Sequence, residues 1–128
     1  MIIEKILVLN INGEDNLMSV TDTFFNIKSG EIQGIRTYSP FVMEFLNSTA
    51  ILSNLNFSHF YPRLIYASFS SILVSNCSFS SSFEKFGDFE VCAIYFEYNM
   101  SFTISNSKFN SLSNDFVGSV ILFLFVFN

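Results

Sequence analysis

The sequence predicts an all-β chain folded as a right-handed parallel β-helix, a solenoid of about four to five coils. Three observations carry the prediction. A six-residue pattern recurs four times, its apolar positions alternate with period two, and the composition suits aromatic strands punctuated by small polar turns.

The pattern is aliphatic, hydroxyl, Asn or Asp, two variable residues, then Phe. It reads Val20-Thr21-Asp22-Thr23-Phe24-Phe25, Leu52-Ser53-Asn54-Leu55-Asn56-Phe57, Val74-Ser75-Asn76-Cys77-Ser78-Phe79 and Ile104-Ser105-Asn106-Ser107-Lys108-Phe109. Its copies begin 32, 22 and 30 residues apart. The residue two places earlier is also apolar (Met18, Ala50, Ile72, Phe102), and that spacing selects strand over helix, which needs apolar neighbours three and four apart.

A second apolar stretch precedes copies two to four: Val42-Met43-Glu44-Phe45, Leu64-Ile65-Tyr66-Ala67 and Ile94-Tyr95-Phe96-Glu97. Each coil then runs strand, corner, strand, Asn turn, Phe strand and a loop of variable length. The surplus residues of the longer coils fall in loops at Lys28 to Ser39 and Ser80 to Glu90, and Ile6 to Ile11 is offset by an insertion around Asn12 to Asp15. Stacking places equivalent residues about 4.8 Å apart, so Phe25, Phe57, Phe79 and Phe109 are expected to form an inner aromatic ladder. Asp22, Asn54, Asn76 and Asn106 form a column at one corner, where Asn tolerates a tight backbone.

Half of the 128 residues are hydrophobic, enough for a sizeable buried core. There are 18 Phe, 20 Ser and 13 Asn against 2 Pro and no Trp. A net charge of −5 without a run of Lys and Arg argues against nucleic acid and anionic membrane surfaces as partners. Cys77 and Cys92 lack the CxxC spacing of a zinc or redox site and read as buried or free thiols. Met1 to Lys5 does not resemble a signal peptide. Val117 to Phe127, apolar but for Gly118 and Ser119, falls short of the roughly 20 residues that span a bilayer. The chain reads as one β-helix segment over 1–128, with repeats centred on 18–26, 50–58, 72–80 and 102–110, cut from a longer protein. Its final apolar strand begins a fifth coil, and an open terminal edge invites end-to-end association.

The blocks Ala93-Ile94-Tyr95-Phe96 and Ile104-Ser105-Asn106-Ser107-Lys108-Phe109 resemble repeats of right-handed parallel β-helix proteins with the pectin-lyase-like fold. They look most like the degenerate repeats of polymorphic outer membrane proteins and of large protist surface proteins. The resemblance implies an extracellular or cell-surface protein. The alternative fold is a leucine-rich-repeat-like solenoid, suggested by Leu52-x-x-Leu55-x-Phe57; Thr23, Cys77 and Ser107 stand where that repeat needs Leu.

No catalytic, cofactor-binding or metal-binding set emerges, and no cofactor is expected. Polysaccharide cleavage needs convergent carboxylates or calcium-binding Asp residues. The densest acidic group, Glu84, Asp88 and Glu90 beside Lys85, reads as a solvated loop, and the lone His59 as a corner residue. Sequons at Asn47, Asn56 and Asn99 are candidate glycosylation sites, while a fourth at Asn76 is expected to be hidden in the ladder. The expected function is a non-enzymatic structural or adhesive segment whose partner is a glycan or protein, with Phe83, Phe86 and Phe89 as the first binding loop to test. The alternatives are a fragment of a polysaccharide lyase or hydrolase whose catalytic coils lie elsewhere, and a truncated gene model.

Overall fold

The structure is a computed structural model that describes residues 1–80, 92–98, 101–110 and 121–124. The described residues form thirteen strands and no helix, and every strand pairing is parallel. The chain is a β-solenoid whose coils present three faces. The first face stacks β2 (Ile6–Gly13), the opening half of β5 (Gly30–Leu46), the opening half of β7 (Leu55–Ser68), β9 (Ser78–Ser80) and β12 (Lys108–Asn110). The second stacks β3 (Met18–Thr21), the closing halves of β5 and β7, β10 (Cys92–Glu97) and β13 (Ile121–Leu124). The third is a separate five-stranded sheet of β1 (Ile2–Ile3), β4 (Phe24–Ile27), β6 (Thr49–Ser53), β8 (Ser71–Ser75) and β11 (Ser101–Ser105).

Two corners use the same local device. The strand ends, one residue takes a left-handed backbone, and where the next residue carries a hydroxyl it donates to the carbonyl two places before it. At the corner from second to third face the left-handed residues are Asp22, Asn47, Phe69 and Tyr98, with φ between 48° and 55°. Thr23 donates to the Thr21 carbonyl, Ser48 to that of Leu46 and Ser70 to that of Ser68, each at 2.8 Å. At the corner from third to first face, Asn54, Asn76 and Asn106 are left-handed, and Ser107 donates to the Ser105 carbonyl at 2.9 Å. The same hydroxyls accept from the neighbouring coil: the Thr23 amide donates to Ser48 Oγ at 3.2 Å, and the Ser48 amide to Ser70 Oγ at 3.0 Å. Ser48 and Ser70 are buried, so these bonds satisfy polar atoms that would otherwise destabilise the interior.

Leu52, Val74 and Ile104 stand in register on the third face, and Phe57, Phe79 and Phe109 on the first. The Phe57 and Phe79 rings stack at 4.9 Å, and those of Phe79 and Phe109 at 4.6 Å. Phe25 does not belong to this ladder. It is in register with Ala50 on the third face and packs obliquely on Phe45 at 5.7 Å. The residue next to Phe57 is Ile32, followed by Val8.

Asp22 likewise leaves the Asn column for the other corner, where Asn47 Nδ2 donates to its Oδ1 at 2.6 Å. The cause is chemical mimicry: Thr21-Asp22-Thr23 builds the same device as Ser105-Asn106-Ser107, one corner away. The true equivalent in that coil is Ile27-Lys28-Ser29-Gly30-Glu31-Ile32, without Asn or Phe, and Gly30 has a φ of 143°. A side chain there would collide with the Ile6 backbone oxygen. Consequently most of the expected loop at Lys28 to Ser39 is strand, part of β5. The surplus sits instead between Arg36 and Phe41, where the register against β7 shifts. Ile94 also aligns with Ile65 rather than Leu64.

Inward columns close the core by alternating size. Phe45, Ala67 and Phe96 follow one another on the second face, and Phe25, Ala50 and Ile72 on the third. The small Ala50 below Phe25 leaves room for the Phe45 ring, as close packing requires.

Candidate functional site

With the inward positions filled by core, contact chemistry falls on the outward columns, and the second face carries the densest. Strand alternation turns Met43, Ile65 and Ile94 inward, so Glu44, Tyr66 and Tyr95 form the adjacent outward column, with Ser19 beside Glu44. Phe41, at the edge of this face, stacks on Tyr66 at 4.0 Å and 16°. Tyr95 lies 5.7 Å from Tyr66 and 5.9 Å from Phe41. The Arg63 guanidinium carbon sits 4.8 Å from the Tyr95 ring centre and 5.5 Å from that of Phe41, a cation held against aromatic π density.

Carboxylates border the rings. Tyr66 donates its hydroxyl to Glu97 Oε2 at 3.3 Å, and Ser19 donates to Glu44 Oε1 at 2.9 Å. Burial, reinforced by the carboxylates of Glu97 and Glu44 and partly offset by Ser68, pushes the Tyr66 phenol above its ordinary pKa. Tyr66 is therefore neutral and a hydrogen-bond donor at pH 7. The patch offers aromatic edges, phenol donors, carboxylate acceptors and one sequestered guanidinium, which is the equipment of a contact surface.

No protein-family model matches the chain, and no curated protein does. The site therefore stands on its own geometry.

Among the sequence-level candidates, Phe83, Phe86, Phe89, Asn99 and the acids Glu84, Asp88 and Glu90 lie outside the described residues. Asn47 and Asn56 are exposed, and so is Asn76, contrary to the expectation that the ladder hides it. The corner column turns its amides outward, with Asn54 Nδ2 donating to the Lys28 carbonyl at 3.0 Å. Asn56 accepts from Ser78 Oγ at 2.7 Å. His59 is exposed and left-handed at φ 52°, in line with Asn10 and Gly34, which share the backbone signature of the other corner residues.

Cys77 is a free, buried thiol standing where the next coil has Ser107. Its Sγ lies 3.3 Å from the Ser75 carbonyl, and burial raises its pKa. Among the described residues, no group of three His, Cys, Asp or Glu is placed to hold a metal ion.

The second-face patch was not read from the sequence. Its signal is a single position: the third residue of two apolar stretches, and the second of the other, is Glu44, Tyr66 or Tyr95. Phe41 and Arg63 precede those stretches and become neighbours only through the coil register.

Proposed function

We propose that the chain is a non-enzymatic structural and adhesive segment of a cell-surface or secreted protein, a rigid stack that presents the Phe41, Tyr66 and Tyr95 patch to a partner. The observation that carries this reading is the allocation of polar chemistry. Buried Ser48 and Ser70 are committed to hydrogen bonds between coils, while aromatic and carboxylate groups collect on one outward face. Extended stacks suit a spacer role because each coil contacts only its neighbours and outward columns repeat along the axis.

The turn Ser105-Asn106-Ser107, with its left-handed Asn and its hydroxyl bonded to the Ser105 carbonyl, supports kinship with the pectin-lyase-like repeats of bacterial and protist surface proteins. The experiment is to apply the labelled chain to intact cells and a panel of surface glycans and proteins, beside a Phe41→Ser/Tyr66→Ser/Tyr95→Ser variant whose β circular dichroism is verified. The reading predicts retention of the parent and loss by the variant. Equal retention of both, or of neither, contradicts it.

A further inference from the structure

The corner from second to third face holds a feature that core burial does not account for. Asp22 and Asn47 occupy the left-handed position in two coils, and both tolerate it; Phe69 and Tyr98 occupy it in the next two. A bulky residue there carries a steric penalty that a glycine or Asn avoids. Phe69 gains no burial in exchange, since it remains 55% exposed. Strain without burial points to a use for the ring.

The ring's surroundings suggest which use. Phe69 stacks on Tyr98, centres 5.3 Å apart and planes 8° from parallel, so one of its faces is covered from the side of β10. The other face turns toward the preceding coil and its Asn47. There a shallow groove opens, lined by Asn47, Thr49, Asp22 and the exposed Phe24 together with Phe69. Phe24 and Phe69 stand two coils apart, about 10 Å along the axis at the spacing of parallel strands, with Phe24 offset along the strand toward the column of Thr49 and Ser71. The lining contains one carboxylate and no Lys or Arg. Asp22 accepts the Asn47 amide on Oδ1, and the only ion pair among the described residues is Lys28 with Glu4. The Met1 ammonium reaches the Phe24 carbonyl from β1, on the opposite side of β4 from Thr49.

We propose that this groove binds a quaternary or methylated ammonium group, held between the open face of Phe69 and the ring of Phe24 and balanced by Asp22. Such a cation is weakly hydrated, so it gives up little on leaving water for a ring face, and the fixed carboxylate supplies charge complementarity. An acidic chain of net charge −5 also attracts cations toward the groove. With no basic residue and one carboxylate in the lining, a phosphate on the same ligand has no cationic partner and is repelled by Asp22. The expected carrier is therefore a methylated lysine on a peptide rather than a phosphocholine headgroup. The proposal goes beyond the adhesive reading and does not need the Phe41, Tyr66 and Tyr95 patch.

The test is an NMR titration of the labelled full chain with choline, its uncharged isostere 3,3-dimethylbutan-1-ol, a trimethyl-lysine peptide, phosphocholine and cellobiose. Choline and the peptide shift the Phe69, Phe24 and Asn47 signals saturably, while the isostere and phosphocholine bind at least about fivefold more weakly. Phe69→Asn and Asp22→Asn each weaken binding by about fivefold or more. Both install a residue that other coils use at left-handed corners, so the fold is retained; the triple Ser variant of the second face binds choline unchanged. Equal binding of choline and its isostere, binding of cellobiose alone, or no saturable shift overturns the proposal. Phosphocholine binding as tightly as the peptide overturns the assignment of the carrier.

Discussion

At most turns of the two corners flanking the third face, a single residue in the left-handed region decides how cheaply the chain turns, and the sequence uses Asn, Asp, Phe and Tyr for the same backbone geometry. Asn76→Gly should alter stability by no more than a few tenths of a kcal/mol, whereas Asn76→Val should cost about 1–2 kcal/mol in urea unfolding. Phe69→Asn should change stability by less than about 1 kcal/mol, because relief of the same penalty is offset by loss of the stack on Tyr98. Cys77 makes the complementary case for the hydroxyl column. Ser107 performs its role in the next coil, so Cys77→Ser should be tolerated within about 1 kcal/mol, while the native thiol should resist Ellman's reagent until the chain unfolds. Because burial raises its folded pKa, the thiol's contribution is fully present below the ordinary thiol pKa. It is lost as the pH rises from there through the folded value, since the unfolded chain then ionises first. The alkaline edge of the stability profile should therefore move toward higher pH in Cys77→Ser.

The strands divide into those whose place can be read from sequence and those whose place cannot. Leu52, Val74 and Ile104 share a column, and Phe57, Phe79 and Phe109 another, because three coils write the corner in the same residues. Their neighbouring coil writes it as Ile27-Lys28-Ser29-Gly30-Glu31-Ile32, with Ser29 in place of Asn, Gly30 in place of Leu55 and aliphatic Ile32 in place of the aromatic ring. A search for Phe and Asn therefore passes over it and settles on Asp22, which builds the other corner, and Phe25, which lies on the third face beside Ala50. The second-face patch was illegible for a different reason: Phe41 and Tyr66 touch only because three extra residues between Arg36 and Phe41 bring the two strands back into register. Within the ladder, Phe79→Ala removes the ring stacked on both sides and should cost about 3–5 kcal/mol. Phe109→Ala should cost less, since Phe109 is only half-buried. Ala50→Phe should destabilise by about 1–3 kcal/mol or more by driving a second ring into the space of Phe45.

Across the whole molecule the stability is shared between neighbouring coils rather than gathered in one centre, since every strand pairing joins adjacent turns of the chain. That arrangement explains how outward positions come to vary freely, from Glu44 to Tyr66 to Tyr95 in one column, while the inward positions beside them stay apolar. Parallel, in-register stacking is the claim on which both proposed surfaces depend. Its most direct measurement is cysteine cross-linking between coils in a Cys77→Ser/Cys92→Ser background. Ser53 and Ser75 face one another across β6 and β8 with hydroxyls 3.3 Å apart, and paired parallel strands hold Cα atoms within disulfide range. The stacked solenoid predicts that Ser53→Cys/Ser75→Cys closes an intramolecular disulfide under mild oxidation while Ser53→Cys/Leu73→Cys does not; closure of the second pair in preference to the first would contradict it.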